Sequence, residues 1–340
     1  MKAVVVYGPN DLRVEERPMP KIEAKDEVLV KIHAVGVCGS DVHIMKGENP
    51  FVKYPRVMGH EMVGEVVEFG EDVHDLEAGD HIVIEPITYS GKSYAVRRGM
   101  PNVSEDLKVN GVHVDGGQQE YLVIKNIQAH KIRKDIPWTT AVLCEPYTIA
   151  GNSTTRGEVI AGDTVFIHGA GPIGIALVRM CKAKGALVMV SDVVDEKLEF
   201  AKKNGADAIV NPAKEELVEA VAKWTNGEMA NKVIDAACLP KTFQQSFDLV
   251  SVAGTIVVLS MDETPVPIPQ KPFMAKQLTV VGTRLQSFQF DPVIRMMEAG
   301  ILKDEGMVTH VFDFNDVEKA FQTIDEHPED VKKLVLTFGD

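Results

Sequence analysis

The sequence predicts an α/β protein in which a β-rich region precedes a parallel sheet covered by helices on both faces. Two observations support this prediction. Residues 1–150 contain many short β-branched runs, and from about residue 160 strand-like and helix-like segments alternate. A chain of 340 residues is also long enough for two domains, since one domain usually takes about 100–200 residues.

The β-rich region consists of apolar segments of strand length, separated by Gly, Pro and Asp. They read KAVVVY, EVLVKIHAVGV, MVGEVVEFG, DHIVIEP and EYLVIK. Such runs, bounded by turn-forming residues, are typical of strands. They favour a compact barrel or a partly open sheet with long loops.

The second region repeats a strand followed by a helix. The strand-like segments are DTVFIH, ALVMVSD, AIVNP, KVIDAAC and GTIVVLS. Between them, segments such as PIGIALVRMCKAKG and KEELVEAVAKWTNG carry apolar residues at intervals of three and four. This alternation predicts βαβ units and a parallel sheet. QLTVVGTR predicts one more strand, and the tail adds a helix, DPVIRMMEAG, and a last strand, KLVLTFG.

The composition is that of an ordinary globular protein, with 45% hydrophobic and 25% charged residues. The formal charge of −14 argues against nucleic acid and anionic membranes as partners. No apolar run approaches the roughly 18–20 residues of a membrane span, and we expect no signal peptide. The four cysteines form no Cys-x-x-Cys pair, so we expect them to be reduced and the protein to be cytoplasmic.

A nucleotide site is predicted at HGAGPIG, where three glycines form the G-x-G-x-x-G pattern between a strand and a helix. The first glycine permits a tight turn, the second lets a pyrophosphate approach the backbone, and the third lets the helix pack closely on the strand. Backbone N–H groups at the start of the helix then face the phosphates. We therefore expect the cofactor to bind at Gly169, Gly171, Pro172, Ile173 and Gly174.

An acidic residue, Asp192, stands where the next strand ends. A carboxylate at this place can bind both hydroxyls of an adenine ribose and repels a 2′-phosphate. The sequence thus predicts NAD rather than NADP. Lys197 is a further candidate for contact with this ribose, and a solvated helix lysine is the equal alternative.

A metal site is predicted within GVCGSDVHIMKGENPFVKYPRVMGHE. Cys38, His60 and Glu61 supply a thiolate, an imidazole and a carboxylate, which are the usual ligands of zinc. Cys38 and His60 are too far apart in the chain for a zinc finger, so the fold must bring them together. Glu145, in LCEPYTIAG, lies at the join between the two regions, where an inter-domain cleft is expected.

Four motifs in this order, GVCGSDVH, YPRVMGHE, GVHVDGGQQEY and GAGPIG, resemble those of the medium-chain zinc-dependent alcohol dehydrogenase family over essentially the whole chain. The resemblance is closest to the sorbitol and threonine dehydrogenase branch. Within it, the chain looks like the sugar-acid dehydrogenases that oxidise L-gulonate or L-galactonate at C5. The resemblance implies a Rossmann coenzyme domain, residues 146–279, inserted in a GroES-like catalytic domain, residues 1–145 and 280–340.

The resemblance also implies roles for the metal-site residues. Cys38, His60 and Glu145 match the ligands of a catalytic zinc. Glu61 matches a neighbouring acid that binds zinc in some states and swings away in others. A bound zinc lowers the pKa of an alcohol and so assists the departure of hydride to the nicotinamide.

Ser40 and His43 match a proton relay of the family. The proton that the alcohol releases needs a path to solvent, and histidine suits its last step because it titrates near neutral pH. A loop histidine with a structural hydrogen bond is the alternative for His43.

The sequence departs from the family in the loop of residues 86–107. The family often holds a structural zinc there with four cysteines. The matching positions in this chain are Ser90, Ser93, Val96 and Ser104, and none of them is a good zinc ligand. We therefore expect one catalytic Zn2+ per chain and no structural zinc, with the loop held by packing or by a subunit contact.

The implied function is the NAD-dependent oxidation of a small polyhydroxy acid, foremost L-gulonate to D-fructuronate. Arg284 is a candidate for binding an NAD phosphate or the substrate carboxylate, and a surface residue at a strand end is its alternative. Arg56 and His113 are further candidates for the carboxylate, and a structural role is favoured for each. A polyol or L-threonine dehydrogenase is the enzymatic alternative. A non-catalytic NAD-binding regulatory protein is the alternative of another class. The family implies a homodimer or homotetramer.

Overall fold

The computed structural model describes residues 1–339, which form two compact units. The first unit comprises residues 1–145 and the residues from Phe290 onward, and the second comprises Pro146–Gln289.

The first part of the chain contains β1 (Lys2–Gly8), β2 (Asp11–Glu16), β3 (Glu27–Val37), α1 (Gly39–Met45), β4 (Arg56–Val57), β5 (Glu61–Phe69), β6 (His81–Ile84), β7 (Ile87–Thr88), α2 (Tyr94–Arg97), β8 (Lys108–Val109), β9 (Tyr121–Lys125), β10 (Ala129–Lys131) and α3 (Trp138–Ala141). The middle part contains α4 (Cys144–Arg156), β11 (Thr164–His168), α5 (Pro172–Ala183), β12 (Leu187–Ser191), α6 (Asp195–Lys203), β13 (Ala208–Val210), α7 (Leu217–Trp224), β14 (Ala230–Asp235), α8 (Pro240–Leu249), β15 (Val250–Val258), α9 (Lys271–Lys276) and β16 (Thr279–Gly282). The last part contains α10 (Phe290–Glu298), β17 (Val308–Asp313), α11 (Val317–Glu326) and β18 (Lys333–Thr337).

The largest sheet of the first unit has the order β10-β6-β5-β3-β18-β17, and β9 also pairs with β3. Strand β18 lies antiparallel to β3, with Leu334 opposite Val37. The last strand of the chain is therefore part of the same sheet as the early strands. The buried side chains of this sheet include β-branched and other apolar residues of β3 and β5. Val30, Ile32 and Val66, for example, are fully buried. Each such side chain stabilises the fold by about 1.5–3 kcal/mol.

The second unit contains the parallel sheet that the sequence predicts. Its order is β13-β12-β11-β14-β15-β16, and every pair is parallel. The middle strands are apolar along their length because helices cover the sheet; Phe166, for example, packs with Leu217 of α7 and Phe247 of α8 in one buried cluster.

The boundary near residue 280 differs from the one that the resemblance implies. Strand β16 pairs with β15, with Thr279 opposite Thr255. After it, the Asn152 side chain of α4 donates hydrogen bonds to the Thr283 hydroxyl, at 3.0 Å, and to the Leu285 carbonyl, at 3.1 Å. Residues 280–289 therefore belong to the second unit, and the first unit resumes at α10.

The helices of the second unit are short. The longest helix that the structure describes, α4, has 13 residues, whereas a membrane span needs about 20. Over residues 1–339, no helix combines the length and the apolar character needed to cross a membrane.

Candidate active site

The register of two strands brings the predicted zinc ligands together. Strands β3 and β5 are antiparallel, with Gly36 opposite Glu61. Cys38 directly follows β3, and His60 directly precedes β5, so the two motifs meet at one edge of the pair. One ligand atom from each of Cys38, His60 and Glu61 lies within 4.8 Å of the other two.

This group fits a zinc ion. Tetrahedral zinc, with bonds of about 2.0–2.3 Å, separates its ligand atoms by about 3.3–3.8 Å, and the three ligand atoms here lie within 4.8 Å of one another. His60 and Glu61 are 8% and 1% exposed. Within the described residues, the Nδ1 atom of His60 and the nearby Ser40 hydroxyl are buried without a hydrogen-bond partner. Buried donor atoms of this kind are costly unless something binds them.

Asp41 holds the two ligand segments in place, a role that the sequence analysis did not assign. Its side chain is fully buried. Oδ2 accepts the Cys38 N–H at 2.9 Å, and Oδ1 accepts the Gly59 N–H at 3.3 Å. Oδ1 also lies 3.8 Å from Nδ1 of His60. Burial lowers the pKa of His60, but Asp41 and the Cys38 thiol outweigh burial and raise this pKa well above its usual value.

Lys333 also belongs to the site and was likewise missed. Because Leu334 of β18 pairs with Val37 of β3, Lys333 is placed next to Cys38. Its Nζ lies 2.6 and 2.8 Å from the two carboxylate oxygens of Glu61, and both side chains are buried. A Cβ atom at Gly36 would lie 2.0 Å from Glu61 Oε2, so only glycine at this position leaves room for the carboxylate.

Glu145 lies in the first turn of α4 and is 4% exposed. Among the described residues it stands outside the 4.8 Å group but within electrostatic reach of it. Burial raises the pKa of Glu145, His60 lowers it, and Glu61 raises it again. The net effect is a raised pKa, which indicates a carboxyl that becomes a good ligand once a cation compensates its charge.

The second unit holds the predicted nucleotide turn. Gly169 has φ +90°, a conformation that favours glycine. A Cβ at Gly174 would lie 2.0 Å from the Gly169 carbonyl oxygen, whereas a Cβ at Gly171 would meet nothing within 4 Å. Helix α5 begins directly after Gly171, with Pro172 and Ile173 half-buried in its first turn. The open space at Gly171 and the free N–H groups of the helix start fit a pyrophosphate.

Asp192 is tied to this turn. Its Oδ2 accepts the Ala170 N–H at 2.9 Å, and its Oδ1 accepts the Val194 N–H at 3.0 Å. Each oxygen keeps a lone pair for a further donor, so the carboxylate is fixed in place for a ribose. Lys197 is half-buried in α6, and Arg284 is half-buried after β16.

Comparisons with known proteins match both units. Residues 24–134 match the alcohol dehydrogenase GroES-like domain, and residues 172–299 match the zinc-binding dehydrogenase domain. The chain is 38% identical to the starvation-sensing protein RspB of Escherichia coli over the full length of both. It is 31% identical to the L-galactonate-5-dehydrogenase of the same species, over 99% of each chain.

The chain belongs to the zinc-type medium-chain alcohol dehydrogenase family. A crystal structure of RspB from E. coli, complexed with NADH, covers 99% of each chain at 38% identity with a TM-score of 0.94. The predicted family and the predicted α/β fold with a GroES-like domain are thus confirmed, and the chain is an oxidoreductase. NAD and zinc are the typical cofactors of this family.

In the dehydrogenase, the two expected relay residues occupy one helix. Ser40 and His43 lie three positions apart in α1, where side chains share a face. The Ser40 hydroxyl is buried, whereas the His43 side chain is 63% exposed, and its Nδ1 lies 2.7 Å from Glu48 Oε2. Glu48 is a partner that the sequence analysis did not name.

The loop of the dehydrogenase that was expected to lack zinc is held by a cluster of hydrogen bonds, an arrangement that neither expected alternative anticipated. Ser93 Oγ accepts the Val96 N–H at 3.2 Å and lies 2.9 Å from Ser104 Oγ. The Ser104 hydroxyl donates to Asp106, which also accepts the Ser90 N–H at 2.8 Å. Ser104 has one proton, so Ser93 must donate to it. We call Ser90, Ser93, Ser104 and Asp106 the loop cluster.

The weaker candidates for binding a substrate carboxylate are engaged in the fold. The Arg56 guanidinium donates to Asp115 at 2.9 Å, and Asp115 also binds Arg17 at 3.0 Å. His113 Nδ1 accepts the Val109 N–H at 3.1 Å. These contacts assign structural roles to both residues of the dehydrogenase.

Proposed function

We propose that the dehydrogenase oxidises a secondary alcohol of a sugar acid with NAD, foremost L-gulonate or L-galactonate at C5. The observation that carries the dehydrogenase chemistry is the group of half-buried Cys38 with buried His60 and Glu61, together with the glycine turn and Asp192 of the second unit. The sugar-acid substrate is supported by the full-length similarity to L-galactonate-5-dehydrogenase.

Cys38, His60 and Glu145 would hold a single zinc, and Glu61 would join them in some states. When bound, zinc supplies a Lewis acid that lowers the pKa of the alcohol, and NAD supplies the hydride acceptor. Asp41 keeps the Cys38 and His60 segments oriented through its bonds to the Cys38 and Gly59 N–H groups. Outer partners of this kind fix ligand geometry.

The proton of the alcohol would leave through α1. The buried Ser40 hydroxyl has no partner among the described residues and can accept a hydrogen bond from the substrate hydroxyl. One turn further along the helix, the exposed His43 can release a proton to solvent, and the carboxylate of Glu48 orients its ring. The order from buried to exposed is the direction in which a proton must travel.

One zinc per chain, without a structural zinc, is part of this proposal. It is supported by the loop positions Ser90, Ser93, Val96 and Ser104, where three serines and a valine stand in place of four thiolates. A homodimer or homotetramer and a cytoplasmic location complete the proposal; four free cysteines suit a reducing compartment.

The test is a substrate panel with zinc-loaded protein, followed by NADH absorbance. L-Gulonate, L-galactonate, sorbitol and L-threonine are compared by kcat/KM. We expect the two aldonates to exceed sorbitol and threonine by at least about tenfold, because only they carry a carboxylate beside several hydroxyls. A preference for sorbitol or threonine would refute the sugar-acid proposal. NADH binding without turnover of any substrate would refute the dehydrogenase proposal and favour a regulatory role.

The coenzyme preference is tested separately by Asp192→Ala. We expect the ratio of kcat/KM with NAD to that with NADP to fall by at least about tenfold, because the variant no longer repels a 2′-phosphate. Asp195→Ala, which removes an exposed acid of the next helix, is the matched control. An unchanged ratio in Asp192→Ala would show that another residue selects NAD.

A further inference from the structure

The single carboxylate of Glu61 can bind either a metal ion or the ammonium group of Lys333. The Glu61 side chain is in the group whose ligand atoms lie within 4.8 Å of one another. Both of its oxygens also lie within 2.8 Å of Lys333 Nζ. A cation in the group and the lysine ammonium therefore compete for the same two oxygens.

The ion pair is built into the fold. Lys333 is 4% exposed and Glu61 is 1% exposed in their side chains, and Lys333 Nζ also lies 3.4 Å from the Val37 carbonyl oxygen. The pairing of β18 with β3 fixes the lysine backbone, and the missing side chain of Gly36 makes space for the carboxylate. A buried ion pair often adds little stability compared with apolar residues, so stability alone does not account for it.

The charges of the site give the lysine a function. The Cys38 thiol and the carboxyl groups of Glu61 and Glu145 are three acidic ligand groups, and Asp41 is a fourth acid behind them. Without a fixed positive charge, a bound divalent ion would attract Glu61 as a permanent ligand. A catalytic zinc needs an open position, which a fourth protein ligand would fill.

We propose that Lys333 is a positioning residue that holds Glu61 off the bound metal and so keeps one coordination position open for an exogenous ligand. This inference rests on the proposed metal site. It does not depend on the identity of the substrate, because it concerns only the ion and the side chains around it.

The experiment uses full-length protein loaded with cobalt(II), whose visible absorption reports the ligands of the ion. Imidazole serves as the exogenous ligand, and its apparent Kd is taken from the spectral change. In Lys333→Met we expect Glu61 to occupy the open position, which weakens imidazole binding by about 10–100-fold and slows the release of cobalt to a chelator. Lys333→Arg keeps the charge and should respond like the unaltered protein.

The double variant Lys333→Met with Glu61→Gln separates positioning from a merely structural role. The neutral amide is a poor ligand, so we expect the double variant to regain imidazole binding to within about threefold of the unaltered protein. A structural defect from the missing lysine would not be repaired in this way.

Two results would overturn the proposal. One is an unchanged imidazole Kd in Lys333→Met, and the other is a weakened Kd that Glu61→Gln fails to restore. If Lys333→Met fails to fold, the other two variants still test the proposal. It requires Lys333→Arg and the double variant to bind imidazole about as tightly as the unaltered protein, and weaker imidazole binding in one of them counts against the proposal. If the cobalt-loaded unaltered protein does not bind imidazole, that result counts against the metal site itself, whatever the outcome of the substrate panel.

Discussion

The metal group and the loop cluster are both small polar clusters of the first unit, but their atoms are satisfied in different ways. At Cys38, His60 and Glu61, ligand atoms of two buried side chains and one half-buried side chain converge, and Nδ1 of His60 lacks a hydrogen-bond partner among the described residues. In the loop cluster, hydroxyl donors end on one carboxylate, that of Asp106.

The difference shows how a polar cluster can indicate a ligand or a structural role. Hydrogen bonds from Ser104 and Ser90 lower the pKa of Asp106 to about 2, so the carboxylate is already stabilised by its neighbours. By contrast, burial raises the pKa of Glu145, beside the metal group, and the nearby carboxylate of Glu61 raises it further, while His60 lowers it. A cluster whose polar atoms are paired with one another can hold a loop, whereas ligand atoms without such partners favour the binding of a cation.

The largest expected effect comes from removing the thiolate of the metal group. We expect Cys38→Ser to lose nearly all bound zinc and to reduce turnover by at least about a thousandfold, because a hydroxyl is a poor zinc ligand. Zinc per chain and the rate of NADH formation are measured together. Cys238→Ser, at a half-buried cysteine of the second unit, should leave both unchanged; full zinc content in Cys38→Ser would remove the metal group from the mechanism.

A smaller effect is expected when the support of the ligands is removed. Asp41→Asn keeps the shape of the side chain but weakens its bonds to the Cys38 and Gly59 N–H groups. We expect zinc affinity to fall by about 10–100-fold, measured by competition with a chelator. Asp72→Asn, at an exposed position, is the control, and equal zinc affinities in the two variants would show that Asp41 is not needed.

The loop cluster should respond to substitution but not to chelation. Asp106→Asn removes the carboxylate on which the serine bonds end, so we expect faster proteolysis of residues 86–107 with unchanged zinc content and turnover. Treatment of the unaltered protein with a chelator should not accelerate cleavage of this loop. Glu105→Gln, at the exposed neighbouring position, is the control; a loop that loosens with the chelator in the unaltered protein would point to a metal there.

Substitution of His130 gives the smallest expected effect. Both ring nitrogens of His130 have partners, whereas Nδ1 of His60 has no hydrogen-bond partner among the described residues. The two ring nitrogens of His130 lie 3.1 Å from Glu85 Oε2 and 3.0 Å from Asp291 Oδ1. Burial lowers the pKa of His130, but these hydrogen bonds outweigh it, and the pKa is raised.

A raised pKa stabilises the fold below the unfolded value of about 6.5, and this stabilisation is lost as the pH rises through the folded value. We therefore expect His130→Gln to cost about 1 kcal/mol more in the free energy of unfolding near pH 6 than near pH 9. Urea denaturation at both values measures this. The control is His74→Gln, at an exposed position, which should show no such difference. An equal cost of His130→Gln at both pH values would contradict the raised pKa of His130.

Motifs with strong local requirements could be predicted from the sequence. The glycine turn is one of them, because two of its glycines meet local demands: Gly169 has a positive φ, and a Cβ at Gly174 would lie 2.0 Å from the Gly169 carbonyl oxygen. Cys38, His60 and Glu61 could be named by ligand chemistry. Asp41 could have been found as well. Cys38 is the N-cap residue of α1, and an acid at the third position of a helix commonly accepts the backbone N–H of the N-cap residue.

Other partners lie far apart in the chain or differ little from surface residues. Lys333 is 272 residues from Glu61, and a lysine at the start of an apolar strand gives no sign of its partner. Asp106 stands in a loop where an aspartate is ordinary. The resemblance implies that the second unit ends at residue 279, whereas the structure extends it to Gln289. The hydrogen bonds from Asn152 that hold the segment after β16 leave no local pattern in the sequence.

The sequence by itself determined which residue types are available for the chemistry and which segments become strands, helices and tight turns, because these depend on neighbours within about one turn or one strand. The tertiary structure alone decided that Lys333 meets Glu61, that Asp41 joins two segments, and that serines hold a loop. Each of these depends on the register between strands or on the approach of distant segments, and a shift of one residue would turn the side chains to the opposite face.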